Sequence, residues 1–369
     1  MSSSTSPAPA PSRRTRLGIL GGGQLARMLA LAAHPLGVDC VVVEPAPDPP
    51  AGPVAQVIAA AYDDPTALAV LATCDVVTVE LEGVPPAALA WLAERVPVRP
   101  NPDAITTSAD RLLEKRLLRR LGIATAPFDD EVTGAPAIVK SRRGGFDGRG
   151  NRLARTDDAL AAARAELPDP IVEGIVRFER ELSIVAARGV DGETRCWPLV
   201  ENQHEHGILR RTLAPAPFGD DTARRALGEQ AVDLAHRVLE ALDYVGVLAI
   251  ELFEHDGRLV ANELAPRVHN SGHWSMDGAV TGQFEQHVRA VCGLPLGDPS
   301  ALGVTAMLNA VGGLPDRSTV LAVPGAHLHV YGKSARPGRK LGHVNITAPD
   351  DAELAHRLAA LTDAVPFVV

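Results

Sequence analysis

Residues 246–274 read GVLAIELFEHDGRLVANELAPRVHNSGHW. Two apolar runs, GVLAIELFE and RLVANELAP, meet at His255-Asp256-Gly257, the pattern of an antiparallel hairpin. Each strand carries one acid, Glu251 and Glu263, twelve residues apart. Register decides what they do. A two-residue Asp-Gly loop pairs positions whose numbers sum to an odd value and sets the carboxylates on opposite faces. A three-residue loop with Gly257 left-handed gives an even sum and puts both on one face, and only that register makes a shared metal site. Two hard oxygen ligands held this way suit Mg2+, or Mn2+ in its place, with water and phosphate oxygens filling the remaining positions. Directly afterwards the chain crowds Arg267, His269, Asn270, Ser271 and His273 beside a Pro and a Gly, the polar density of an active-site loop. His269 and His273 are not read as a zinc pair, because Ser271 and Gly272 spoil a helix between them.

Upstream, AIVKSRRGGFDGRGN (137–151) is a strand ending in Lys140 and followed by Gly144, Gly145, Gly148 and Gly150 among Arg142, Arg143 and Arg149. Glycines let backbone approach a phosphate chain and the cations neutralise it, so the segment reads as a lid over a triphosphate. Lys115, on the amphipathic helix ADRLLEKRLLRRLGI that ends at Gly122, is a second phosphate contact. IVEGIV (171–176) offers Glu173 and backbone groups, including those of Val176, to an adenine edge, and Glu181 lies where an acid could accept from ribose hydroxyls.

The start of the fold differs in texture. RLGIL runs into Gly21, Gly22 and Gly23 and then a helical pattern, and later apolar strands alternate with helices, which implies a doubly wound parallel sheet. Gly21-x-Gly23-x-x-Ala26, with Glu44 ending the next strand, imitates a dinucleotide fingerprint. A helix N-terminus binds any anion, so the motif identifies a phosphate and not a cofactor. The fold class expected is α/β and α+β. It comprises a tail at 1–15 without order, a parallel-sheet domain at 16–105, a central domain at 106–305 and a small β-rich domain at 306–369.

Composition excludes several classes. Of 369 residues 46% are hydrophobic and the formal charge is -9, which argues against disorder and against nucleic acid as a partner. Four Cys never approach a CxxC spacing, no apolar run reaches the length of a membrane span, and the Ser/Pro-rich start has no signal-peptide core. A cytoplasmic location is expected.

The order of parts resembles the ATP-grasp superfamily. The segments GILGGGQLARML, RRGGFDGRGN, ILRRTLAPAP, NELAPRVHNSGHW and YGKSARPGRKLGHVNI are similar to the N5-carboxyaminoimidazole ribonucleotide synthetase family within it, from about Arg16 to the C-terminus. The resemblance implies that ATP phosphorylates bicarbonate and that the resulting carboxyphosphate carboxylates the exocyclic amine of aminoimidazole ribonucleotide, with a homodimer as the working form. It implies that Lys115, Lys140, Gly145, Gly148 and Asn262 serve ATP, with Glu173 and Val176 at the adenine and Glu181 at the ribose. Glu251 and Glu263 would hold Mg2+, and Arg267, His269 and Asn270 would surround bicarbonate. Asp147 would orient the amine beside Phe146. The ribonucleotide would meet Gly22, Gly23, Gln24, Glu80, Ser271, Lys333 and Arg339, the last two at its 5′-phosphate. Two positions depart from the family: Gly83 stands where an Asn is usual, and Phe146 where a Tyr is common. Another ATP-grasp carboxylase or formate-using transformylase with a different acceptor is the near alternative, and a nicotinamide dehydrogenase or an inactive ATP-binding scaffold are the distant ones.

Overall fold

The computed structural model describes residues 13–145 and 150–362. Four short, apolar strands open the chain: β1 (Thr15–Leu20), β2 (Val38–Val43), β3 (Gln56–Ile58) and β4 (Val76–Val79). They form a parallel sheet in the order β3-β2-β1-β4, with the helix Gln24–Ala33 following the glycine turn. Beyond β4 the chain adds a single parallel bridge, from Val98 to Val77.

A small antiparallel sheet, β5 (Ala137–Ser141), β6 (Asn151–Ala154) and β7 (Pro170–Gly174), packs its apolar face on the helix Asp157–Glu166. The remaining strands are β8 (Arg180–Arg188), β9 (Thr194–Cys196), β10 (Val200–Glu205), β11 (Ile208–Ala214), β12 (Gly246–His255), β13 (Arg258–Ala265), β14 (Val304–Val311), β15 (Ala326–Val330) and β16 (Lys340–Ala348). They make one antiparallel sheet ordered β13-β12-β8-β10-β11-β14-β16-β15, with β9 added to β8. The C-terminal strands, expected as a small β-rich domain, also continue the central sheet, β14 pairing with β11. Period-two patterning marks a strand but does not name its neighbour.

Alternation divides the large sheet. Leu182, Ile184, Leu248, Ile250, Leu252 and Leu264 face the helix Asp221–Ala241, whose Leu227, Ala231, Leu234, Val238 and Leu239 recur at helical spacing. Each such buried Leu, Ile or Val side chain contributes about 1.5–3 kcal/mol. Val185, Val247, Ala249 and Ala265 face the other way and join Leu25, Met28 and Leu29 of the first domain with Phe284 and Val288 of the helix Gln283–Cys292. The first domain thus shares a core with the sheet. His287 adds a polar bolt there: its Nδ1 accepts from Val247 N at 3.0 Å, so its Nε2 carries the proton and donates to Thr78 Oγ1 at 2.8 Å.

Candidate active site

On the second face of the sheet, apolar character ends along one line. Val247 and Ala249 give way to Glu251, Val185 to Ser183 and Glu181, and Ala265 to Glu263. The hairpin turn has two residues, not three: His255 pairs with Arg258, and Asp256 (φ 49°) and Gly257 (φ 68°) are both left-handed. That register alone would separate the two acids. A β-bulge corrects it. Leu252 pairs with Ala261 but Glu251 pairs with Glu263, so Asn262 is the extra residue and the two carboxylates stand directly opposite on one face.

The pair is electrostatically unequal. Burial and the facing Glu263 push Glu251 up to about 7, whereas against the cost of burial Arg111, whose Nη1 lies 2.7 Å from Glu263 Oε2, holds Glu263 below the usual carboxylate range. Two opposed carboxylates of which one ionises only at a cost are a donor set that a divalent cation would relieve. Their side chains retain 17% and 35% of their surface, enough to be reached.

Beside them lies a cluster of cations. Lys140 Nζ approaches Glu173 Oε2 at 2.9 Å and Asn262 Oδ1 at 3.4 Å. Lys115 Nζ approaches the same Glu173 oxygen at 3.4 Å and donates to Asn262 O at 2.8 Å. Despite its burial, Glu173 is held ionised by the two ammonium groups. One carboxylate between two lysines leaves a positive excess next to the carboxylate pair, as a polyphosphate requires. Arg111, which the sequence reading did not single out, also donates to Gly145 O at 3.4 Å, where the glycine loop begins. Its placement was open to inference: Asp110 caps the helix Arg111–Arg120, accepting from Leu112 N and Leu113 N, and so puts Arg111 at its first turn. Phe146, Asp147 and Gly148 lie outside the described residues.

Glu173, read from sequence as an adenine contact, turns to the lysines. The linker 175–178, with Val176 half-buried, joins the small sheet to the large one, and Phe178 stacks on Phe253 with centroids 4.6 Å apart. Glu181 pairs across the sheet with Phe253 and meets His204 Nδ1.

The loop after β13 turns toward the first domain. Arg267 Nη2 lies 2.9 Å from Glu82. His269 Nδ1 accepts from Ser271 N at 3.3 Å, so its Nε2 carries the proton, 3.4 Å from Glu251 Oε1. Burial, with Arg267 and Lys340 nearby, keeps this ring neutral, far below its ordinary value. Gln283 braces the loop, accepting from His269 N at 2.9 Å and donating to His269 O at 2.7 Å. Asn270 exchanges amide hydrogen bonds with Asn309 on β14 at 2.7 and 3.1 Å. Neither Gln283 nor Asn309 carried a sequence signal, because each acts through a contact distant along the chain. His273 turns away from the carboxylates, with Gln283 Nε2 2.9 Å from its Nδ1 and its ring 4.9 Å from that of His343.

In the first domain the dinucleotide resemblance dissolves. Glu44 accepts from Gly22 N at 2.8 Å and from Tyr62 Oη at 2.9 Å, so it is used by its own turn. Glu80 accepts from Ala26 N at 3.0 Å, and burial, against that bond and Lys333, raises it to about 7. An added Cβ at Gly23 would meet a Glu80 oxygen at 2.0 Å, which explains the glycine. Lys333 Nζ donates to Gln24 Oε1, bringing the loop between β15 and β16 onto the glycine turn. Arg339, in the same loop, donates to Ser334 O at 3.2 Å and Oγ at 3.0 Å.

Three family models match in the order of the domains. They are the ribonucleotide synthetase preATP-grasp domain over residues 14–109, the ATP-grasp domain over 124–284 and the phosphoribosylaminoimidazole carboxylase C-terminal domain over 305–357. The N5-carboxyaminoimidazole ribonucleotide synthase of Pseudomonas aeruginosa is 45% identical over 358 residues, 93% of this chain and 98% of that protein. The crystal structure of the Thermus thermophilus synthetase superposes with a TM-score of 0.88 at 45% identity, covering 95% of this chain and 98% of that one. That of the Aspergillus clavatus enzyme, in complex with ADP and 5-aminoimidazole ribonucleotide, superposes at 0.86 with 32% identity, covering 96% and 99%. With a carboxylate pair, a lysine cluster and an arginine loop gathered about the β12–β13 hairpin, and with these likenesses along nearly its whole length, the chain belongs to the N5-carboxyaminoimidazole ribonucleotide synthase family of ATP-grasp ligases.

Proposed function

We propose that this chain carboxylates 5-aminoimidazole ribonucleotide in purine biosynthesis: ATP transfers its γ-phosphoryl group to a bicarbonate oxygen, releasing ADP, and the exocyclic amine then attacks the carbonyl of carboxyphosphate and expels phosphate. The observation that carries the reading is the pairing of Glu251 with Glu263 beside the Lys115–Glu173–Lys140 cluster. Glu251 and Glu263 would hold Mg2+, which when bound neutralises phosphate charge and aligns the transferring group.

The protein's own groups divide the remaining work. Lys115, Lys140, Asn262 and Arg111 bind the triphosphate, the backbone of 174–176 meets adenine between Val176 and the Phe178–Phe253 stack, and Glu181 accepts from ribose. Gly145 and Gly148 serve ATP, and Asp147 orients the amine beside Phe146. Arg267, with neutral His269 and Asn270, steadies bicarbonate and the developing carboxyphosphate. The ribonucleotide rests with Ser271, Glu80 and the Gly22–Gln24 turn, its 5′-phosphate on Lys333 and Arg339. Carboxyphosphate hydrolyses in water, so a closed, dry site and proximity of the amine supply the rate. Among the described residues no helix is long and apolar enough to cross a membrane, and the proposal extends to a homodimer acting in the cytoplasm.

Transfer of label from bicarbonate into an acid-labile carbamate, dependent on both ATP and aminoimidazole ribonucleotide, tests this reading. Preferential transfer of label to another amine, or incorporation of labelled formate in place of bicarbonate, would replace it.

A further inference from the structure

β13 is the edge strand of the large sheet, so its outward backbone groups have no strand to bond. Residues 111–124 close that edge one group at a time. Ala124 O accepts from Ala261 N at 2.8 Å, Lys115 Nζ donates to Asn262 O at 2.8 Å, and Glu114 Oε2 accepts from Leu264 N at 2.9 Å. The last two contacts flank Glu263, and Arg111 holds the carboxylate between them at 2.7 Å. Residues 111, 114 and 115 are i, i+3 and i+4 on one helix face, so a single rigid element grips the bulge at three points.

Glu114 is the least expected of the three. It is 1% exposed, and its Oε1 is buried without a hydrogen-bond partner. An apolar side chain would fill this position without the desolvation cost; what a carboxyl adds is an acceptor for the Leu264 N–H.

We propose that Glu114 is a positioning residue for the reaction: by fixing the Leu264 N–H it locks the β13 bulge, so that the Glu263 carboxylate faces Glu251 at the spacing a divalent cation requires. The inference rests on the metal assignment above. A bulge interrupts the ladder and is locally soft. If Asn262 relaxed into regular register, Glu263 would turn to the opposite face. The role calls for an acceptor and not a charge, so Gln satisfies it and an apolar side chain of equal length does not.

The test is calorimetric titration with ADP at a series of Mg2+ concentrations, comparing wild type, Glu114→Met, Glu114→Gln and Glu263→Gln, with thermal melts to establish folding. Glu114→Met is expected to need roughly 10- to 100-fold more Mg2+ for half-maximal enhancement of ADP binding. Its ADP affinity without Mg2+ stays unchanged, and Glu114→Gln tracks wild type. If Glu114→Met fails to fold, Glu114→Asp, one carbon too short to reach Leu264, takes its place with the same expectation. Wild-type Mg2+ demand in the Met or Asp variant, while Glu263→Gln loses its response, overturns the role of Glu114 alone, as does impairment in Glu114→Gln equal to that in Glu114→Met. An unaltered response in Glu263→Gln overturns the metal assignment and this role together.

Discussion

Arg267 Nη2 and the carboxylate of Glu82 meet at 2.9 Å, one on the loop that follows the hairpin and the other just beyond the last strand of the parallel sheet. A single guanidinium therefore ties the loop after the carboxylate pair to the first domain, and under the proposed function it would lie where carboxyphosphate meets the amine. Arg267→Ala is expected to lower kcat by roughly 10²–10³-fold while leaving ADP affinity within twofold of wild type. Steady-state kinetics with calorimetry checks this; retained kcat would remove the guanidinium from the reacting groups.

Glu173 pairs with two buried ammonium groups, and removing it takes the ion-pair partner from both. Glu173→Ala is expected to destabilise the fold by about 3–5 kcal/mol, read as a lower urea midpoint at unchanged slope. A midpoint equal to wild type would show that the lysines find other partners.

His287 is wholly buried and neutral, with burial pushing its imidazolium pKa down from 6.5 to about 4. Because this pKa is depressed on folding, the unfolded chain binds the extra proton first. The contribution of His287 is complete above pH 6.5 and is lost as pH falls toward 4. His287→Gln should therefore flatten the acid limb of stability against pH, by an amount on the order of a few kcal/mol across that window. Superimposable acid limbs would contradict the assignment.

The Arg339 guanidinium donates to Ser334 O and Oγ within its own loop, near Lys333. Arg339→Ala is expected to raise KM for the ribonucleotide by about tenfold and to leave KM for ATP nearly unchanged. An equal rise in both would place the residue elsewhere.

Local patterns in the sequence were legible where one strand or one turn decided the outcome. The hairpin, the glycine turn and the long helix from Asp221 emerge from periodicity and punctuation alone. The bulge at Asn262 did not: the expected loop of three residues reached the right face by the wrong register. The only trace is that apolar Ala261 and Leu264 lie three apart where alternation demands two. Lys333 with Gln24, and Asn270 with Asn309, depend on strand order across the sheet, which hydrophobic alternation does not encode. Glu173 was assigned by its position in a hinge-like segment, but its carboxylate points to Lys140 on the neighbouring strand.

The central claim is that phosphoryl transfer at the Glu251–Glu263 pair is tied to a bicarbonate acceptor and an amine. Coupled ADP release, with ATP, bicarbonate and aminoimidazole ribonucleotide each omitted in turn, measures this directly. Rapid release is predicted only when all three are present, and its loss in Glu263→Gln without loss of fold. Release that is equally fast without bicarbonate or without the ribonucleotide would contradict it.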